Sequence, residues 1–170
     1  MDGKGWLLIA LGAGLLMVGG RKVVDLKHAN ENEKKWAPVI AAAETKHGIP
    51  AGLLHRLIKR ECHFRTDIIT GQKLSPVGAY GIAQFMPATG AEMGIYDAKT
   101  KRWNADPAAH IDAAGKYLAR LYKATKSWDR ALGSYNWGIG RVTDAVKAQG
   151  NNWLAIAPTE TKNYVREILG

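Results

Sequence analysis

The chain has 170 residues, 46% of them hydrophobic and 23% charged, a globular composition that excludes a mainly disordered polymer. Its single cysteine, Cys62, excludes an intrachain disulfide and a cysteine-based zinc site. The 24 Lys and Arg against 15 Asp and Glu leave +9, which favours nucleic acid, membrane or cell-wall polymer as a partner without choosing among them.

From Gly5 to Gly20 the chain carries no formal charge. As a helix this stretch would be about 24 Å long, short of a hydrocarbon core of about 30 Å unless Val23 and Val24 extend it. Three readings stay open: a membrane anchor (Trp6–Gly20), a cleaved signal with Leu7–Val18 as its apolar core, and a buried element. Arg21, Lys22 and Lys27 follow, and basic flanks of this kind oppose export of what comes after. The run Asn30 to Lys35 is charged, so residues 1–31 are expected to be anchor or signal plus linker, and residues 32–170 the folded domain.

Within that domain Trp36, Val39, Ile40 and Ala43 recur at helical spacing, with Gly48 as a stop. Pro50 fits the first turn of a second helix, on which Leu54, Leu57, Ile58 and Glu61 share a face. Residues 71–81 read as loop. Pro87 starts a short helix ending at Gly94, and Asp106-Pro107 opens a long one carrying Ile111, Ala114, Leu118 and Leu121. Trp128, Ala131, Leu132 and Tyr135 mark a helix that Gly138 ends; Val142–Ala148 marks another, and Thr159 opens the last, with Tyr164, Val165 and Ile168. Nothing after residue 32 alternates long enough for a convincing strand, so the class is mainly α.

Glu61 places a carboxyl on the face its helix turns to the core, near the helix C-terminus, where the macrodipole is negative. Desolvation and dipole both disfavour the anion, which is the environment a general acid needs. A partly exposed glutamate, or one paired with Lys59, Arg60 or Arg65, fits the same pattern. Downstream, Gly78 and Gly81 precede a lone polar Gln84, in a loop where backbone can approach a ligand and an amide can bind a sugar. Ordinary turn glycines explain that spacing equally well.

Four segments in order narrow the choice. They are Glu61-Cys62-His63-Phe64, then Ser75 through Gln84 (SPVGAYGIAQ), then Ser134-Tyr135-Asn136-Trp137-Gly138, then Tyr164-Val165. Together they resemble the soluble lytic transglycosylase type of lysozyme-like, goose-type-related enzymes. The chain departs from that pattern at Cys62, where a serine is usual. It departs again in a longer stretch between Phe64 and Ser75, and at Ile82-Ala83, expected to trim the wall of a cleft.

The resemblance implies a lysozyme-like transglycosylase domain that cleaves the β-1,4 bond between N-acetylmuramic acid and N-acetylglucosamine in peptidoglycan. It implies Glu61 as general acid and base, Tyr164 as the group that orients it, and Ser75, Gln84, Met86, Tyr135 and Asn136 as glycan-binding residues. Tyr135 and Tyr164 also fit as core aromatics by periodicity alone. No cofactor is required, and the five histidines, His28, His47, His55, His63 and His110, show no metal-ligand spacing. No nucleic-acid motif accompanies the basic residues. Trp103 and Trp137 are candidate sugar-stacking platforms, Cys62 reads as a passive thiol, and Asp67 is the nearest second carboxylate. The alternatives are a goose-type-like muramidase and a non-catalytic, membrane-anchored wall- or DNA-binding protein. The expected setting is the cell envelope or a phage virion, in wall opening for entry or for secretion-machinery assembly.

Overall fold

The computed structural model describes residues 9–11, 15–18 and 21–170, with side chains from Val24 onward. Three strands come first: β1 (Ile9–Leu11), β2 (Leu15–Val18) and β3 (Arg21–Asp25). They form an antiparallel sheet in the order β1-β2-β3, with a bulge between Leu16 and Met17. The described parts of the apolar stretch are therefore strands where a helix was expected, because apolarity on every side does not distinguish the two. The remainder of the anchor and signal readings, on residues 1–8, 12–14 and 19–20, lies outside the described residues. Among the described residues no helix is long and apolar enough to cross a membrane. Residues 21–31 are also structured: Leu26 is buried against Ala37 and Ala41, with Val24 and Ala29 packed on the same cluster.

Among the described residues eight α-helices follow, and the mainly α expectation holds. Helix α1 (Glu31–His47) starts at Asn30, whose Oδ1 accepts the Glu33 N–H at 2.8 Å, and stops at Gly48 in the left-handed region (φ 65). Helix α2 (Leu53–Cys62) begins later than Pro50 suggested. Pro50 instead opens a turn that leaves Gly52 at φ 81, and the Gly52 N–H donates to Glu44 Oε2 at 2.8 Å. A one-turn helix, α3 (Thr66–Ile69), was not anticipated; four residues show no period. Helix α4 (Pro87–Met93) has the proline start and the Gly94 stop read from sequence.

A two-residue ladder joins β4 (Tyr96–Asp97) to β5 (Arg102–Trp103), too short to register as alternation. Helix α5 (Pro107–Thr125) is capped by Asp106, whose Oδ1 accepts the Ala108 N–H at 2.9 Å. Then come α6 (Trp128–Trp137), α7 (Ile139–Gln149), a 3-10 helix over Gly150–Ile156, and α8 (Thr159–Leu169).

The chain divides into two compact units, residues 1–114 and 115–170. In the first, Ile40, Leu54, Leu57, Ile58, Ile82 and Ile111 are completely buried. In the second, Leu132 and Trp153 are completely buried and Ile168 nearly so. Trp153 closes over α6 at Gly133, where an added Cβ would lie 2.3 Å from the indole.

Candidate active site

Helix α2 follows its hydrophobic period, and Leu54, Leu57 and Ile58 are all at 0% exposure. Glu61 continues that face one turn on and is half-buried, one residue from the end of the helix. Beside it Cys62 is sealed off: its thiol donates to Ile58 O at 3.3 Å and accepts the Phe64 N–H at 3.3 Å. Burial pushes that thiol up to about 12, with the negative charges of Glu61 and Glu33 adding and the Phe64 bond opposing. A thiol so placed is no nucleophile at neutral pH.

The chain leaves α2 through two consecutive left-handed residues that are not glycine, His63 (φ 49) and Phe64 (φ 52). Each such residue costs roughly 1–3 kcal/mol and must be held by its surroundings. Two asparagines at the start of α1 do the holding. Asn32 Nδ2 donates to Phe64 O at 3.0 Å and to Thr66 Oγ1 at 2.9 Å, and Asn30 Nδ2 reaches His63 O at 3.4 Å. Phe64 itself is buried, its ring 5.4 Å from His55. Sequence reasoning missed both asparagines, although Asn30 and Glu33 carry the spacing of a helix start.

The loop after α3 is built by its own polar groups. Ser75 Oγ accepts the Ala79 N–H at 2.9 Å, and Gly78 takes φ 85 to close the turn. Tyr80 and Phe85 pair through their backbones, enclosing residues 81–84. Gly81 (φ 73) sits against His110, where a side chain would meet the imidazole at 2.9 Å. Gln84 is left-handed (φ 47), and its Nε2 donates to Gly81 O at 2.9 Å, which uses one of two amide hydrogens. Met86 is 42% exposed at the start of α4. Ile82 and Ala83 are fully buried, so they are core and not the cleft wall expected of them. Asp67 is tied up in a two-pronged pair with Arg65, at 2.6 and 3.2 Å, which holds its carboxyl below the usual range.

In the second unit Tyr135 and Asn136 are consecutive on α6. Tyr135 is half-buried with its ring 5.4 Å from that of Tyr117. The Asn136 amide is engaged at both ends: Oδ1 accepts from Thr161 Oγ1 at 2.8 Å, and Nδ2 donates to Glu160 Oε1 at 3.3 Å. Asn136 thus ties α6 to α8, the helix that carries Tyr164. Tyr164 is 3% exposed, as its place in the apolar period of α8 requires.

Among the described residues no group of three or more His, Cys, Asp or Glu is placed to hold a metal ion. His110 is buried, and desolvation holds its pKa below the ordinary histidine value.

The curated relatives include the membrane-bound lytic murein transglycosylase D of Escherichia coli K12, 34% identical over 102 residues that span 56% of this chain and 23% of the relative. The protein of the same name from strain O6:H1 matches equally. Among solved structures, an inactive Glu-to-Gln variant of the lytic transglycosylase Slt from Pseudomonas aeruginosa superposes with a TM-score of 0.62 at 25% identity, over 78% of this chain and 22% of that one. The 70 kDa soluble lytic transglycosylase of Escherichia coli shares the fold, with a TM-score of 0.64 at 23% identity over 79% and 23%. The chain spans less than a quarter of each of these relatives. The transglycosylase SLT domain model matches residues 38–154, which include Glu61, the Ser75–Gln84 loop and the Tyr135-Asn136 pair and stop short of Tyr164. With more than half of its length in that match, the chain belongs to the transglycosylase SLT domain family.

Proposed function

We propose that the chain is a peptidoglycan lytic transglycosylase in which Glu61 is the single general acid and base. The observation that carries this reading is the family match over residues 38–154, inside which Glu61 stands half-buried at the end of an apolar helix face and is followed by the Ser75–Gln84 loop. Glu61 donates its proton to the bridging oxygen as the bond from muramic C1 breaks through an oxocarbenium-like state. The resulting carboxylate takes the proton of the C6 hydroxyl of the same sugar as O6 bonds to C1. The product is a 1,6-anhydro end, no water is consumed, and Glu61 ends protonated as it began. A two-carboxylate glycosidase needs a second acid at a set separation. Asp67, the nearest in sequence, is occupied by Arg65.

By family resemblance the Tyr164 hydroxyl orients Glu61, and Ser75, Gln84, Met86, Tyr135 and Asn136 bind the glycan. The Asn136 hydrogen bonds give it a further duty in holding α8. The setting we infer is the cell envelope, in wall opening for secretion-machinery assembly or phage entry, with residues 6–20 as its membrane attachment.

The test is mass spectrometry of fragments released from purified wall. Anhydro-muramyl ends are expected, and release by Glu61→Gln should fall at least 100-fold, the usual weight of a positioned general acid. Reducing ends in their place overturn the transglycosylase reading in favour of a muramidase. Undiminished release by Glu61→Gln overturns Glu61 as the acid.

A further inference from the structure

The ring faces of most described tryptophans are taken. Trp103 stacks on Tyr80 at 4.8 Å and 4° and lies against Tyr96. Trp128 stacks on Tyr122 at 4.0 Å, Trp153 is fully buried, and Lys35 lies over the Trp36 ring. Trp137 differs. It walls an open pocket of about 280 Å³ with Arg141, Asp144, Ala145 and Ile156.

The local fold makes this pocket. Gly138 (φ 94) ends α6 and turns the chain directly into α7. Arg141, Asp144 and Ala145 are spaced three and four apart on α7, so they share one face. Arg141 Nη1 donates to Trp137 O at 3.2 Å, which ties the guanidinium to the residue that supplies the indole. Ile156, half exposed, closes the far side from the end of the 3-10 helix. The result is an apolar floor with one cationic and one anionic group at its rim.

Resting on the transglycosylase reading above, we propose that this pocket is an accessory subsite for one pyranose ring of a β-1,4-linked N-acetylhexosamine strand. Such a ring carries its substituents equatorially, so its faces are C–H surfaces that stack on an indole. Its hydroxyl and acetamido groups match a carboxylate acceptor (Asp144) and a guanidinium donor (Arg141), and the acetamido methyl matches Ile156. The volume lies near the lower end of small-ligand pockets, roughly 300 Å³, as one ring requires. Trp137 directly follows Asn136, so the subsite adjoins in sequence the residues assigned to the glycan.

The experiment uses the full chain carrying Glu61→Gln, labelled with 15N and titrated with chitohexaose, a peptide-free and uncharged probe. The Trp137 indole resonance, assigned with Trp137→Phe, is expected to move on titration. Trp137→Ala should weaken binding about tenfold, near 1.4 kcal/mol. Asp144→Ala should weaken it about threefold, and because Asp144 is a surface side chain this variant serves if Trp137→Ala does not fold. An unmoved Trp137 resonance with unchanged binding in Asp144→Ala overturns the subsite. A response to peptide-bearing muropeptides but not to chitohexaose overturns its assignment to a sugar ring. A Glu61→Gln chain that still digests wall overturns the catalytic reading instead, a result separable from these.

Discussion

Asn32 shows how a residue remote in sequence holds the backbone that follows Glu61, the proposed acid. Its amide holds the carbonyl of Phe64 three residues past Glu61, in a backbone region that β-carbon sterics disfavour. Asn32→Ala leaves that carbonyl and Thr66 without their donor, and the chain after α2 is expected to relax. Urea denaturation should show a loss of about 1–2 kcal/mol, and turnover should fall about tenfold with KM little changed, since the acid moves while the glycan contacts stay. Cys62 gives the complementary expectation. With its thiol pushed to about 12 and no exposed surface, native protein should resist a thiol-specific disulfide reagent at pH 8 and react only as it unfolds. Cys62→Ser should retain activity, because a hydroxyl keeps both bonds. The same residues show where sequence runs out. Glu33 and Glu44 are more buried than Glu61, at 3% each. Both are structural: Glu44 accepts the Gly52 and His55 N–H groups at the start of α2, and Glu33 pairs with Lys59 at 3.0 Å. A carboxyl on a core face is therefore no signature of catalysis in this chain, and only the motifs following Glu61 separated it from the other two.

Helices were legible where period and punctuation agreed. Gly48 stops α1, Pro87 and Gly94 bound α4, Asp106 caps α5, and Gly138 ends α6. They were illegible where a turn borrowed a helix signal, as Pro50 did for α2, or where the element was shorter than one period, as α3 was. Close helix packing was equally invisible, since Gly133 reads as a weak spot in α6 when it is in fact the seat of Trp153. Gly133→Ala should drive a methyl into the indole at 2.3 Å and destabilise by about 1–3 kcal/mol, measured as a lowered urea midpoint at unchanged slope. On α2, burial, with Lys59 and Arg56 adding, lowers His55 to about 4 from an ordinary 6.5. The unfolded chain thus takes up a proton first as pH falls. Stability contributed by neutral His55 is present above pH 6.5 and is lost progressively toward pH 4, by up to about 3 kcal/mol. Glu33 Oε1, 3.4 Å from His55 Nε2, pulls the other way and should soften the loss. Denaturation midpoints between pH 7 and 4.5 should fall more steeply for the native sequence than for His55→Leu.

At the scale of the whole molecule, the excess of 24 cationic over 15 anionic side chains acts at a distance, whereas the candidate site acts only in contact. The two respond differently to salt, because the screening length shrinks from roughly 10 Å at 0.1 M to roughly 3 Å at 1 M. A net charge of +9 should draw the chain to anionic wall polymer and let it go as salt rises. Cosedimentation of the Glu61→Gln chain with anionic cell wall should therefore drop steeply between about 0.05 and 0.5 M salt, over which the screening length falls from roughly 14 Å to roughly 4 Å, short enough to screen separated surface charges. Binding of uncharged chitohexaose should change little over the same range, because stacking and short hydrogen bonds depend weakly on ionic strength. Equal salt sensitivity for both ligands would mean that charge is built into the glycan groove itself. Equal insensitivity would mean that the basic excess is only a solvated surface and that contact with the sugar strand alone brings Glu61 to its bond.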